Sequence, residues 1–219
     1  MKAILFGSIG TLVETSDIQR KCFNKAFINE KLKWYWDRET YRELIKKSGG
    51  LKRIEEFSKQ TGDNVNAQKI WEIKTDLFNK NIYANKRLIR KGVLKIFEYA
   101  RDKKINLGLV STTTKKNIDI LFKILEGQIE KKDFSFIGNK NLIKKPKPEP
   151  DIYIKALDVM GLKKNECIAI EDSVESARSA ISAGIECIAF PGIYHDDEDF
   201  KYCKMRLSEL NISMFNNDY

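Results

Sequence analysis

The residues of this chain whose types could do chemistry lie in four short loops. They offer hydroxyl groups, lysines, a pair of carboxylates and a glycine-bearing turn. The four loops are Gly7-Ser8-Ile9-Gly10-Thr11-Leu12, Ser111-Thr112-Thr113-Thr114, Lys144-Lys145-Pro146-Lys147-Pro148 and Glu171-Asp172-Ser173. Ammonium and hydroxyl groups hold the oxygens of anions, whereas carboxylates hold divalent cations. The set therefore predicts a site for a phosphate group and for Mg²⁺.

Short apolar segments alternate with amphipathic segments along most of the chain. The segments typical of buried strands are 2–6, 106–111, 134–137, 167–170 and 187–190. Apolar residues at helical spacing predict helices over 93–100, 115–125, 153–160 and 173–183. This alternation predicts an α/β fold, a Rossmann-like parallel sheet with helices on both faces. In such sheets the active crevice lies beyond the carboxyl ends of the strands, where the four loops are placed.

The segment between the first strand and the rest of the sheet has only helical patterns. They cover 18–30, 38–47, 51–59 and 66–79, and turn-forming residues at 49–50 and 61–64 separate them. The sequence therefore predicts two domains, a core of residues 1–14 and 86–219 and an inserted, all-helical cap of residues 15–85. Within the cap, Trp34-Tyr35-Trp36 is interpreted as a packing patch rather than as a platform for nucleic-acid bases.

Length and charge limit the classes of function. The chain has 219 residues, and 40 Lys+Arg against 31 Asp+Glu give a net charge of +9. The basic residues are scattered rather than gathered in a tail, which argues against nucleic-acid binding. The apolar runs are far shorter than the ~20 residues of a membrane span, and the chain begins without a signal-peptide pattern. We therefore expect a cytoplasmic protein without membrane contact.

The cysteines and the single histidine form no metal-binding pattern. Cys22, Cys167, Cys187 and Cys203 include no C-x-x-C pair, and His195 is the only histidine. A zinc site is therefore not expected. Four reduced thiols and an exposed His195 are the simplest interpretation.

The four loops, taken in order, resemble the motifs of the haloacid-dehalogenase (HAD) superfamily. The resemblance is greatest to the CbbY-like sugar-phosphate phosphatases and the related β-phosphoglucomutases. Residues 5–15 are similar to the nucleophile loop of this family, usually F-D-x-D-G-T-L-x-[DE]-[ST], and Ser111 falls on the phosphate-binding Ser or Thr of the second motif. The resemblance covers nearly the whole chain and implies a HAD fold with an inserted helical cap.

The third motif of the family, K-P-x-P-D-I-Y, fits this chain in two registers. The register that begins at Lys147 has the right distance to the following helix, whereas the one that begins at Lys145 lies two residues earlier. We take Lys147 as the phosphate-binding lysine, with Lys145 as the alternative. In the fourth motif the resemblance makes Asp172 the Mg²⁺ ligand and Glu171 its neighbour. Taken alone, this acidic pair could also cap the helix that begins at Ser173.

The chain departs from the family at its two central aspartates, which are replaced by Gly7 and Ile9. In the family the first aspartate attacks phosphorus and binds Mg²⁺, and the second is the general acid and base. Glycine has no nucleophile and isoleucine cannot carry a proton, although its carbonyl can still face a metal. Glu14 and Asp17 lie where the chain leaves for the cap, and we do not expect them to fold back as replacements.

The cap resembles the CbbY-like group unevenly. Gly49-Gly50 followed by Arg53 fits the group, but Gln19 stands where the family often has a histidine and Leu51 where it often has a lysine. Arg53 and Gln19 are the candidate substrate residues of the cap. Because substrate choice depends partly on such residues, the resemblance does not carry over a particular sugar phosphate.

The anion-binding groups of the site remain. The expected phosphate cradle consists of the backbone amides of Ser8, Ile9 and Gly10, the hydroxyl groups of Ser111 and Thr113 and the Lys147 ammonium. Only Asp172 and Glu171 remain to hold Mg²⁺, so binding of that ion is expected to be weak or absent. We therefore expect a protein that binds a phosphorylated small molecule or inorganic phosphate, with little or no hydrolysis.

Two other functions stay open. One is a working Mg²⁺-dependent sugar-phosphate phosphatase with a non-standard mechanism, in which a water held by a metal at Glu171 and Asp172 attacks directly. The other is an interaction protein with a vestigial pocket and a protein partner. Metal-dependent hydrolysis would identify the first, and a melting point that no phosphate, phosphosugar or Mg²⁺ raises would favour the second.

Overall fold

Six short, mostly apolar segments form one parallel sheet in the part of the chain that the computed structural model describes, residues 1–47, 49–82 and 88–215. The strands are β1 (Ala3–Phe6), β2 (Asn106–Leu109), β3 (Phe136–Ile137), β4 (Cys167–Glu171), β5 (Glu186–Ala189) and β6 (Met205–Arg206). Their order is β3-β2-β1-β4-β5-β6, and all neighbours run parallel. The predicted α/β fold with a Rossmann-like parallel sheet is therefore confirmed.

The position of β1 in the sheet decides where the site lies. Leu5 of β1 is opposite Gly108 of β2 on one side and Ala169 of β4 on the other. The strand order switches direction at β1, and in open α/β sheets ligands bind beyond the carboxyl ends of the strands at such a point. All four residues of β1 and all five of β4 are buried, which explains their apolar runs, because a parallel sheet is covered on both faces.

Eight α-helices follow one another along the described residues. They are α1 (Ser16–Asn29), α2 (Arg38–Ile45), α3 (Gly50–Thr61), α4 (Ala67–Ile82), α5 (Val93–Asp102), α6 (Lys115–Ile124), α7 (Asp151–Met160) and α8 (Val174–Ser182). The chain separates into two compact units, Met1–Glu14 with Arg87–Tyr219, which holds the sheet and α5–α8, and Thr15–Lys86, which holds α1–α4. None of the helices in the described ranges is both long enough and apolar enough to cross a membrane.

An aromatic cluster forms the core of the helical unit. Trp36 is fully buried, and the centroid of its ring lies 4.8 Å from that of Phe23 and 4.7 Å from that of Phe27. Trp34 is also buried and packs edge-on against Phe27, whereas Tyr35 between them is exposed. The interpretation of this segment as a packing patch is confirmed for its two tryptophans.

The sequence missed β6 and overextended β2. β6 is a two-residue strand that contains an arginine, too short to show any alternation. The segment predicted as a strand over 106–111 leaves the ladder after Leu109, since its last residues begin the loop that carries Ser111.

Candidate functional site

The loops that follow β1 and β2 meet at the carboxyl edge of the sheet. The hydroxyl oxygens of Ser8 and Ser111 lie 2.9 Å apart. Backbone hydrogen bonds tie the neighbouring strand ends, with the Gly7 amide donating to the Ile170 carbonyl at 3.0 Å and the Val110 amide to the Phe6 carbonyl at 2.7 Å. Strand register therefore brings these two hydroxyl groups together, although they are 103 residues apart.

Lys147 is buried in this edge, with 8% of its surface exposed. Its ammonium donates to the Val110 carbonyl at 2.9 Å and to Glu171 Oε1. Lys145, the alternative lysine, is exposed, and its backbone amide donates to Asp151 Oδ1. Of the two registers of the third motif, the structure thus brings the lysine at 147 into the site.

The carboxylate of Glu171 occupies the space beside Gly7. A Cβ atom built on Gly7 would lie 2.2 Å from Glu171 Oε2 and 2.4 Å from Thr11 Oγ1. Glu171 is 1% exposed, and its Oε1 also accepts a hydrogen bond of 2.5 Å from the Tyr153 hydroxyl. Tyr153 is fully buried, and burial beside this carboxylate raises the pKa of its phenol, which keeps it protonated as a donor. The sequence shows a glycine at position 7 but not which side chain lies beside it.

Asp172 lies in the same loop and closes over Gly10. Its Oδ1 accepts a hydrogen bond of 3.2 Å from Thr11 Oγ1. Burial, and then the neighbouring Glu171 carboxylate, raise the pKa of Asp172 to about 6. Gly10 has a φ of +97°, and a Cβ atom there would lie 2.0 Å from Asp172 Oδ2. Position 10 therefore requires glycine for both conformation and space.

Part of the expected phosphate cradle has other partners. The Gly10 amide donates to the Val13 carbonyl at 2.8 Å, so the expectation that it faces a phosphate is wrong. The amides of Ser8 and Ile9 have no hydrogen-bond partner among the described residues. Thr113 donates its backbone amide to Ser111 Oγ at 3.2 Å.

Other residues of two predicted loops form hydrogen bonds at the N-termini of the helices that follow. The Thr113 hydroxyl accepts from Asn117 Nδ2 at 2.7 Å, and Thr114 caps α6 by accepting from the Asn117 amide. Ser173 caps α8 by accepting from the Ser176 amide. A serine thus caps α8, and the acidic pair before it remains at the site.

Glu14 lies at the carboxyl edge through a contact that the sequence did not indicate. Its Oε2 accepts a hydrogen bond of 3.0 Å from the Ile193 amide in the loop that follows β5. A Cβ atom on Gly192 would lie 3.1 Å from Glu14 Oε2 and 3.7 Å from Asp172 Oδ2, so both carboxylates border this glycine. The three atoms nearest to a Cβ atom on Gly7 belong to Glu171 and Thr11 rather than to Glu14. Sequence reasoning overlooked the loop that returns over the sheet edge and contacts Glu14. The Pro191-Gly192 turn was the available signal.

His195 is buried in the same loop, and the expectation of an exposed side chain is wrong. It is 7% exposed, and its Nδ1 lies 2.7 Å from Glu198 Oε1, while Glu198 Oε2 accepts from the Val174 amide. Burial alone would lower the pKa of His195, but the Glu198 hydrogen bond and the nearby Asp172 and Glu14 carboxylates outweigh it and the pKa is raised. The surroundings therefore favour the charged imidazole more than water does.

The stability of the chain is expected to fall as the pH rises through the folded-state pKa of His195. A histidine whose pKa is higher in the folded than in the unfolded chain stabilises the fold fully below the unfolded value of about 6.5. This stabilisation is lost as the pH rises past the raised value. Thermal unfolding between about pH 5.5 and 8.5 measures it. His195→Gln should flatten the curve in this interval, and identical curves for both proteins would contradict the assignment.

Arg90 ties the first loop to the loop after β5. Its guanidinium donates to the carbonyls of Gly10 at 2.6 Å and of Phe190 and Pro191 at 2.7 Å each. It also stacks over the Phe190 ring, with the guanidinium carbon 3.3 Å from the centroid. Burial lowers the pKa of Arg90, and the Glu14 and Asp172 carboxylates oppose this. Sequence reasoning missed this residue because it lies outside the four loops.

The carboxylates present do not fit a resident Mg²⁺ ion. Throughout residues 1–47, 49–82 and 88–215, no three His, Cys, Asp or Glu side chains are grouped to hold a metal. One oxygen of Glu171 is bound by an ammonium and a phenol, and one oxygen of Asp172 is bound by Thr11. Since Mg²⁺ requires near-octahedral oxygen ligands, this pair offers too few free carboxylate oxygens.

The two predicted cap residues make contacts within the helical unit. Arg53 is buried and donates to the Leu44 carbonyl at 2.8 Å and the Lys47 carbonyl at 2.9 Å, which satisfies the end of α2. Gln19 Oε1 accepts a hydrogen bond of 2.9 Å from the ammonium of Lys74, a buried residue that the sequence reasoning missed. Burial lowers the pKa of Lys74 to about 8. Roles for Arg53 and Gln19 in substrate choice stay predictions.

Comparison with known proteins agrees with this fold and loop arrangement. The family model described as haloacid dehalogenase-like hydrolase matches residues 4–190. Protein CbbY of Cereibacter sphaeroides is 34% identical over 203 residues, which cover 91% of this chain and 88% of that protein. The crystal structure of CbbY from Rhodobacter sphaeroides in complex with phosphate is similar with a TM-score of 0.84 and 31% identity, over 95% of this chain and 94% of that one.

A second crystal structure, of a CbbY mutant from the same organism in complex with xylulose-(1,5)bisphosphate, has a TM-score of 0.82 and 31% identity over the same shares of both chains. The family match spans more than half of the sequence and includes the loops after β1, β2 and β4. The chain thus shares its fold with the CbbY proteins. The chain belongs to the haloacid dehalogenase-like hydrolase family.

Proposed function

We propose that the chain binds a phosphorylated small molecule or inorganic phosphate at the carboxyl edge of β1, β2 and β4 and hydrolyses it little or not at all. The observation that carries this proposal is the meeting of two hydroxyl groups, Ser8 and Ser111, with a buried ammonium, Lys147, at one strand edge. The CbbY structures in complex with phosphate and with xylulose-(1,5)bisphosphate support a ligand of this class.

The donors for the anion come from three elements. The unpartnered amides of Ser8 and Ile9 follow β1, the Ser111 hydroxyl follows β2, and the Lys147 ammonium precedes α7. Consecutive backbone amides in a turn form an anion-binding concavity, and an ammonium adds a charge-assisted hydrogen bond. These groups bind and orient the oxygens of a phosphate, and their strand positions fix them before the ligand arrives.

Low turnover follows from the groups that face the same edge. Gly7 offers no nucleophile, and Ile9 offers no proton carrier. The carboxylate nearest to the vacant nucleophile position, that of Glu171, has its Oε1 bound by Lys147 and Tyr153 and is held too firmly to attack phosphorus. Binding without hydrolysis is the outcome that these residues support.

An assay of phosphate release from a broad panel of sugar phosphates, with and without Mg²⁺, tests the second half of the proposal. We expect release at the rate of the buffer control. Turnover at ordinary enzyme rates that Asp172→Ala abolishes would contradict the proposal and support a working phosphatase instead. A melting point that none of phosphate, phosphosugars and Mg²⁺ raises would favour the interaction protein with a protein partner.

Lys147→Met is expected to weaken binding of inorganic phosphate by about 10- to 100-fold, because a charge-assisted hydrogen bond is lost. Isothermal titration calorimetry measures the change. Lys145→Met is the matched control, since this lysine is exposed and lies two residues away. The affinity of this variant for inorganic phosphate should change less than about twofold.

Lys147→Met also leaves the Glu171 carboxylate buried without a cation, so circular dichroism must show that the variant is folded. Ser111→Ala serves as a milder second variant at the same site. Equal phosphate affinity in folded Lys147→Met and in the original protein would remove the lysine from the proposed site.

A further inference from the structure

Glu171 has one oxygen whose partner is missing. Its Oε1 accepts hydrogen bonds from Lys147 and Tyr153, whereas its Oε2, which is also buried, has no hydrogen-bond partner among the described residues. A buried acceptor without a donor is unfavourable, and such groups in native proteins are usually satisfied. The donor for this oxygen is therefore to be sought in a ligand.

The unpartnered oxygen, at the end of β4, lies beside the loop after β1 that carries the unpartnered amides. Glu171 Oε2 is 2.2 Å from the place where a Cβ atom of Gly7 would be, and Gly7 directly precedes Ser8 and Ile9. An oxyanion bound to these amides would receive hydrogen bonds from the backbone and from Lys147. At the base of the loop it would instead face an acceptor, the carboxylate oxygen of Glu171. The unpartnered Glu171 oxygen thus lies among several donors.

Two negatively charged oxygens form a favourable contact only when a proton lies between them. Hydrogen phosphate and a singly ionised phosphomonoester carry an O–H group that can donate to a carboxylate, whereas sulfate at neutral pH carries none. A site built to accept a hydrogen bond rejects an analogue that lacks the donor, because its buried acceptor stays unpaired.

We propose that Glu171 Oε2 accepts a hydrogen bond from the O–H group of the bound oxyanion, so that the site selects protonated phosphate over a fully ionised oxyanion of the same shape. This inference rests on the proposed function and adds to it the protonation state of the ligand. It makes Glu171 the residue that determines specificity, while the backbone amides and Lys147 supply affinity. Glycine at position 7 is the condition for it, since any larger residue would compete with Oε2 for space.

Calorimetric titration with inorganic phosphate and with sulfate, at neutral pH and matched ionic strength, tests the inference. We expect sulfate to bind at least about 100-fold more weakly than phosphate. Equal affinity for the two anions would overturn the inference and leave the proposed function standing. No binding of either anion would instead overturn the proposed function.

Glu171→Gln identifies the residue responsible. Its carboxamide can turn an N–H group toward the anion, so the ratio of phosphate to sulfate affinity should fall below about threefold. Glu166→Gln is the matched control, because Glu166 pairs with Lys2 at the opposite, amino-terminal edge of the sheet and its loss removes the same charge. Full selectivity retained in folded Glu171→Gln would overturn the assignment to Glu171.

The pH dependence of the unsubstituted protein gives a second measurement that needs no variant. A phosphomonoester loses its last proton near pH ~6, whereas inorganic phosphate keeps one at neutral pH. Binding of methyl phosphate relative to inorganic phosphate should therefore weaken at least about tenfold from pH 5 to pH 8. A constant ratio over this range would contradict the inference.

Discussion

Gly7→Asp combined with Ile9→Asp is expected to give the chain Mg²⁺-dependent hydrolysis of phosphomonoesters, at least about 100-fold above the unsubstituted protein. The first change supplies a nucleophile, and the second a general acid and base, a role that contributes typically 10²–10⁴-fold. The carboxylate introduced at position 7 would also join Glu171 and Asp172, which alone are too few to hold Mg²⁺. Release of inorganic phosphate with and without Mg²⁺ measures the gain.

Two controls separate this gain from a trivial one. Ile9→Asp alone adds no nucleophile and should stay at the background rate, and adding Asp172→Ala to the double variant should remove the activity. Gly7→Asp is expected to cost about 2 kcal/mol of stability, because its Cβ meets Glu171 Oε2 at 2.2 Å and Thr11 Oγ1 at 2.4 Å. A folded double variant without activity would show that further parts of the site have changed.

Arg90→Met is expected to destabilise the chain by about 3 kcal/mol. The substitution leaves three carbonyl groups, those of Gly10, Phe190 and Pro191, without their donor, and each unsatisfied buried acceptor costs about 1–3 kcal/mol unless water reaches it. It also removes the stacking on Phe190. Urea unfolding gives the free energy of unfolding.

Arg101→Met is the matched control for this change. Arg101 is exposed in the last turn of α5, and its loss should alter the free energy of unfolding by less than about 0.5 kcal/mol. If Arg90→Met were no more destabilising than Arg101→Met, the three hydrogen bonds of Arg90 would contribute nothing net to the fold.

The sheet could be predicted from the sequence because its strands are buried on both faces and read as continuous apolar runs. The carboxyl-edge loops followed from the same pattern, since adjacent parallel strands end at one edge. Ser8 and Ser111 illustrate this, because they are far apart in sequence and the pairing of β1 with β2 brings them into contact. Two overlapping K-P-x-P registers fit the sequence, and the distance to the following helix favoured Lys147, which the structure buries while it leaves Lys145 exposed.

The contacts that sequence reasoning missed depend on one long-range feature, the loop that follows β5. This loop brings His195 beside Asp172 and receives Glu14 and Arg90 from distant parts of the chain. Periodicity describes which face of an element is buried, but not where a loop without periodicity packs. Sequence reasoning missed the position of Glu171 for a similar reason. A glycine at position 7 does not reveal which neighbouring side chain occupies the space beside it.

The volume beside Gly7 has an evolutionary consequence. A lineage that gained aspartate at this position in one step would find the room taken by a glutamate that a lysine and a tyrosine hold in place. Under the proposed function, that protein would lose stability before it gained any rate, because position 9 would still carry no acid or base. Selection would then act against the first step, so a route to phosphatase activity would pass through a less fit intermediate.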